Sequence, residues 1–257
     1  GYIIMSGLLG NLLQTILQNL IWLVIGLGAA ATFNLARVVW PLHRLWRLAD
    51  PKSVAICTAN STMTDTGAYV RPATGIGQVQ ALALVASSLS RAYRKLHFRY
   101  TFFSTDSVQE RYESDLILLG GMKNNQVTAR YLDLVGDRQP LQQHNNTIIW
   151  RQQGPSGKGW KDGASEEFTG EIHDGVVVVD YGYAFRTQNP FTHRPRTAVV
   201  LAGCHTYGVT AAARYFTEQL SQDLRWRLFK RNIVVLIRAD VVNGFPTNVS
   251  IVRWYAW

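Results

Sequence analysis

Residues 1–36 read GYIIMSGLLGNLLQTILQNLIWLVIGLGAAATFNLA and contain no charged side chain; the first charge is Arg37. A bilayer's hydrocarbon core needs about 20 apolar residues of helix, and the segment from Leu12 to Phe33 has that length. At about 1.5 Å per residue, a helix over the whole stretch runs roughly 54 Å, longer than the hydrocarbon core. It therefore projects beyond the membrane, or its first part is a separate interfacial piece. Asn11, Gln14, Thr15 and Gln18 recur at helical spacing on one face, with Asn19 beside them; Leu12, Leu13, Ile16, Leu17 and Leu20 occupy the rest. Amides in lipid are costly unless they find a partner or water. Three readings of this stripe stand: an anchor whose amides bond between subunits, a pore lining, or a buried helix of a soluble protein. On the pore reading, Asn11, Gln14 and Gln18 form successive polar rings. Ile21 and Ile25, on nearly the same face, form a dewetting constriction. One helix per subunit then requires a homo-oligomer of four or more.

A secretory signal begins with a basic region, and this stretch has none. Arg37, Arg44 and Arg47 follow it instead, so the positive-inside rule expects a single-pass protein of the inner (cell) membrane with its C-terminal domain cytoplasmic. Trp40 and Trp46 suit the interface, and Pro41 is expected to break or bend the helix. The spacing predicts a transmembrane helix over 1–36, an amphipathic basic linker over 37–52 and a ligand-sensing domain over 53–257.

All 26 Lys and Arg and all 17 Asp and Glu lie after residue 36, so that part alone carries the formal charge of +9. Such a domain suits anionic lipid headgroups or a polyanionic ligand such as a nucleotide or oligonucleotide. Cys57 and Cys204 are too few for a disulfide framework and fit a reducing compartment.

Buried strands are expected at 54–57, 98–103, 116–119, 176–185, 197–202 and 232–238, with a last one at 249–257. Helical patterns follow Gly75, Asn125 and Gly208. Residues 58–74 read as a polar loop and 136–175 as an inserted hairpin. Strands alternating with helices argue for α/β architecture: a Rossmann-like, mostly parallel sheet with an inserted hairpin behind the N-terminal transmembrane helix. Ligands of such sheets sit beyond the carboxyl ends of the strands, at helix N-termini. Three strand–turn–helix junctions offer that chemistry. The first contributes Asn60, Arg71, Thr74, Gly75, Gly77 and Gln78. The second contributes Gly120, Gly121, Lys123 and Asn124, and the third Gly203, His205, Thr206 and Gly208. Arg186, near the basic Pro190–Phe191 loop, joins them as a candidate cation. Glycine at any one junction is also explained by close strand–helix packing.

Gly154-Pro155-Ser156-Gly157-Lys158-Gly159 is not a phosphate loop. It lacks the hydroxyl after Lys158, the glycine spacing and the strand-to-helix context. Gly203 to Gly208 is similar to the glycine-rich turns of nucleoside hydrolases, but no acidic residue follows in its helix until Glu218. Attack on a ribosyl bond needs a carboxylate, so the turn reads as binding without turnover, and no enzyme is expected. The six histidines show no metal spacing, and no cofactor or metal is expected. Cys204 and His205, as neighbours on an extended turn, point apart and read as loop residues rather than a nucleophile–base pair.

A membrane helix followed by such a domain resembles effectors of bacterial anti-phage systems with CARF or SLOG-like nucleotide sensors. The residues that carry the resemblance are Asp115 through Gly121, Asn124, and Gly203 through Thr210, within 53–257. A sharper resemblance is to the membrane effector of Hailong-type systems, an ion channel controlled by a nucleic-acid oligomer. The resemblance implies a nucleotide second messenger or short single-stranded oligonucleotide as ligand. It also implies a lipid bilayer, further copies of the chain and a nucleotide-synthesising enzyme as partners. The competing class is a membrane-anchored enzyme of nucleotide or NAD metabolism.

Overall fold

The computed structural model describes residues 2–60, 62–93, 96, 100–106, 109–153, 160–223 and 229–257. The chain divides into two compact units, residues 1–41 and 42–257. The first holds α1 (Tyr2–Asn34), which runs through a π turn (Leu35–Val39) into α2 (Trp40–Trp46), most of which belongs to the second. Pro41 does not end the helix. Its missing N–H falls just after the π turn, where the Trp40 N–H bonds Leu35 O, so the ladder absorbs the defect. Among the described residues, the helix over Gln14–Trp46 is long and apolar enough to cross a membrane; its most apolar window has mean hydropathy 1.8 and is not buried at all. Ile16, Leu20, Leu23 and Leu27 are each more than half exposed. Leaving such side chains in water forfeits about 1.5–3 kcal/mol apiece, which a bilayer would recover. Gln14, Gln18, Ile21 and Ile25 are likewise exposed. The Asn11 side chain lies outside the described residues.

The second unit is a layered α/β domain. Its elements in order are β1 (Val54–Thr58), β2 (Thr62–Asp65), β3 (Val70–Ala73), α3 (Ile76–Ala92), β4 (Tyr100–Phe103), β5 (Asp115–Leu119) and α4 (Gln126–Val135). Then come β6 (Leu141–His144), β7 (Thr147–Gln153), β8 (Trp160–Thr169), β9 (Glu171–His173), β10 (Val176–Gln188), β11 (Thr197–Gly203) and α5 (Thr206–Arg214). A π turn leads α5 into α6 (Leu220–Asp223), and β12 (Ile233–Val242) and β13 (Phe245–Ala256) close the chain.

The central sheet runs β13-β12-β10-β11-β5-β1-β4, with β9 beside β10. It is mixed. The ladders joining β11, β5, β1 and β4 are parallel, the Rossmann-like half. The strands β10, β12 and β13 add an antiparallel half.

Alternation along β1 sorts the core into two faces. Val54 and Ile56 join Val85 and Leu89 of α3 and Ala212 of α5. Ala55 and Cys57 join Val127 and Tyr131 of α4, with Ile148 and Trp150 of the insertion. Leu42, Leu45 and Trp46 belong to the first face, so the apolar side of the 42–48 run packs inside this unit. The Trp46 indole donates to Ser88 Oγ at 3.0 Å and meets Phe216 edge to face.

Two segments are more ordered than their composition suggests. Residues 62–73, expected as loop, form the exposed hairpin β2–β3. The insertion is a three-stranded antiparallel sheet, β6-β7-β8. The glycine-rich 154–159 run lies outside the described residues.

Candidate ligand site

The strands β1, β5 and β11 are adjacent and parallel, so their carboxyl ends open at one edge of the sheet. Each feeds a helix: β1 leads to α3 by way of the hairpin, β5 to α4 and β11 to α5. Between these ends lies a cavity of about 220 Å³. Its walls include Gly75, Gln78, Gly121, Lys123, Asn124, Gly203, His205 and Thr206, drawn from all three junctions.

Glycine is required where backbones meet. A Cβ on Gly77 would stand 2.0 Å from Thr206 O, so α3 and α5 begin in direct contact there, and the Gly77 N–H donates to Thr206 Oγ1 at 2.9 Å. A Cβ on Gly208 would stand 2.2 Å from Tyr181 O, which seats α5 on β10. Gly120 has φ +102 and a Cβ there would strike Ala59, so β5 can turn away only at glycine. Gly77, Gly120 and Gly208 thus shape the cavity from behind. Thr74 precedes Gly75 in the chain but does not line the cavity, and its hydroxyl is buried without a hydrogen-bond partner. Gln78 is 6% exposed, and its Oε1 likewise has no partner.

Three other candidates lie elsewhere. Asn60 sits at the base of the hairpin, its carboxamide 2.8 Å from Thr62 O and 3.3 Å from Ala73 O. Arg71 is exposed on β3. Arg186 is wholly buried. Its guanidinium donates to the carbonyls of Arg44 (2.6 Å), Leu45 (2.7 Å), Lys230 (2.7 Å) and Arg231 (3.2 Å). Those donors tie β10 to the end of α2 and leave little for an external anion.

The structure adds groups that sequence spacing did not reveal. Gln143 of β6 reaches the cavity, where its Oε1 accepts from the Tyr183 hydroxyl at 2.9 Å and its Nε2 donates to Gly203 O at 3.2 Å. A Cβ on Gly121 would stand 2.6 Å from that amide, so glycine there admits it. Asn145 and Asn146, the β6–β7 turn, complete the wall, and Lys123 Nζ lies 3.4 Å from Asn146 Oδ1. The Asn-Asn pair between two short strands is a hairpin signal that could have been read.

The most consequential addition is Asp180, fully buried on β10. Its Oδ1 accepts from the N–H groups of Tyr181 (2.9 Å) and His205 (3.2 Å) and faces His205 Nδ1 at 3.2 Å. Its Oδ2 accepts from the Gly208 N–H at 2.5 Å. The carboxylate therefore caps α5 and orients the imidazole. The hydrogen bond to Asp180 raises the His205 pKa, against burial and the charge of Lys123. Cys204 differs: burial pushes its thiol up to about 12, and its Sγ lies 3.4 Å from Phe168 O, so it is not an activated nucleophile. No carboxylate lines the cavity among the described residues, and none of their His, Cys, Asp or Glu groups cluster as a metal site.

No protein-family model matches the chain, and no curated protein matches it.

Proposed function

We propose that the chain is an oligomeric membrane effector of bacterial antiviral defence: its α/β domain binds a nucleotide, and its N-terminal helices form an ion-conducting pore. The observation that carries this reading is the convergence of eight residues from three strand–helix junctions on one cavity lined by amides, a lysine and a histidine. Amides and helix N-termini suit base edges, ribose hydroxyls and phosphate. Drug-sized ligands occupy roughly 300–1,000 Å³. A cavity of about 220 Å³ suits a single nucleotide unit, alone or as one residue of a longer oligomer. A nucleotide-synthesising enzyme would supply it.

Titrating the full chain in detergent with mono-, di- and oligonucleotides tests this. Binding should weaken as salt rises, and Lys123→Glu should weaken it about tenfold or more by reversing the one lysine on the wall among the described residues. Salt-insensitive binding, or none to any nucleotide, contradicts it.

Asp180 and His205 support a second reading. An imidazole oriented by a buried carboxylate is suited to general acid–base work, so the competing assignment is a membrane-anchored enzyme acting on nucleotides or NAD. Turnover that disappears in His205→Asn while binding persists favours that assignment.

The pore is tested in planar bilayers with Gln14→Leu/Gln18→Leu. The expected result is a large loss of conductance, with assembly intact, because the hydrated rings are gone. Unchanged conductance in a normally assembled variant means the amides serve only as contacts between subunits.

A further inference from the structure

The described residues hold a second cationic surface, far in sequence from the ligand cavity and built where α2 meets the turn before β12. Arg44 lies over the Phe229 ring, 3.9 Å from its centroid, and Arg47 Nη2 donates to Phe229 O at 2.7 Å. Lys230 and Arg231 follow on the same turn and are exposed. The like charges press on one another: burial, Arg231 and Arg44, in that order, lower the Arg47 pKa. The cluster is fixed from beneath by Arg186, which bonds the carbonyls of Arg44 and Leu45 on one side and of Lys230 and Arg231 on the other. Arg231 also lines a cleft of about 280 Å³ with Arg138, Asn232 and Trp257. Phe229 is half exposed, an aromatic ring of the kind that settles at the headgroup level of a bilayer.

We infer that this surface binds anionic phospholipid headgroups. The inference rests on the membrane reading of α1. Chain length supplies the proximity: Arg44 follows Arg37, the first charge, by seven residues. However the two units are oriented, seven residues reach at most about 25 Å, and about 10 Å as helix. The headgroup layer is therefore within reach of Arg44 and Arg47, which bring Phe229, Lys230 and Arg231 with them. Attraction to an anionic leaflet falls off within a Debye length, about 8 Å at physiological salt, so basic groups elsewhere on the unit contribute little. Each cation at the surface adds roughly fivefold to the preference for anionic lipid.

The test places the full chain in nanodiscs of phosphatidylcholine with one-fifth phosphatidylglycerol. Lipids retained by the protein after detergent extraction are counted by mass spectrometry. The expected result is enrichment of phosphatidylglycerol over its bulk share. Lys230→Glu/Arg231→Glu should bring the retained share back to about its bulk value, and Arg71→Glu, on the exposed hairpin, should leave the enrichment unchanged. Thermal melting of both variants at the wild-type temperature excludes misfolding as the cause. Retention in nanodiscs with no enrichment, or equal loss in Arg71→Glu, overturns the inference and leaves the membrane reading standing. A chain that stays in no nanodisc overturns both.

Discussion

Arg186→Met should destabilise the α/β unit by about 3 kcal/mol or more, the largest effect expected of any single substitution outside the cavity. The guanidinium is wholly buried and serves four backbone carbonyls from two separate segments. Methionine fills part of the volume but donates nothing. Each buried carbonyl left without a partner costs about 1–3 kcal/mol, reduced where relaxation admits water. Lysine should not rescue, because its ammonium is a point charge and the four carbonyls are met by a planar fork. Burial lowers the Arg186 pKa to about 9, so the group remains charged at pH 7. Chemical denaturation of the full chain in detergent, followed by near-ultraviolet circular dichroism, measures the effect. A loss below about 1 kcal/mol would mean that α2 and the 229–231 turn hold together without the clasp.

Asp180→Asn should cost about 3 kcal/mol and lower the His205 pKa toward its ordinary 6.5. The carboxylate accepts from three backbone N–H groups and faces the imidazole, and hydrogen bonds to a charged acceptor contribute about 1.5–3 kcal/mol each. An asparagine presents an N–H to one of these donors and leaves it unmet. The pH dependence has a definite sign. The folded-state pKa of His205 lies above the unfolded value, so the protonated imidazole's contribution is fully present below about pH 6.5. It is lost as pH rises through the folded value. The stability difference between wild type and Asp180→Asn should therefore be greater at pH 6 than at pH 9. An equal difference at both, with an unshifted His205 resonance in NMR titration, would show that the carboxylate only caps α5.

Much of the architecture was legible because short apolar runs are unambiguous when turns bound them. Val54 to Cys57 and Leu116 to Leu119 are buried on both faces of the sheet and read as continuous apolar strands. The three strand–helix junctions were legible for the same reason, and their glycines marked places where backbones meet. Arg186 was misleading because sequence position cannot distinguish a cation that faces solvent from one that holds a helix end. Its place on the strand Val176–Gln188 was visible, but its partners, Leu45 and Lys230, lie 141 and 44 residues away. Asp180 was missed for a related reason. The helix after Gly208 carries no acid before Glu218, and the acid arrives instead from the antiparallel neighbour β10, which crosses beneath the start of α5. The hairpin at 62–73 escaped notice because its strands are exposed throughout the first of them and carry no alternating apolar signal.

Mass spectrometry of small molecules released on denaturing the full-length protein, purified in mild detergent from its native host, tests the nucleotide assignment most directly. A phosphorylated nucleotide should appear at a substantial fraction of one per chain and be absent from Gly121→Leu, whose side chain meets the Gln143 amide and fills the cavity. No nucleotide in either preparation, or equal amounts in both, would contradict it.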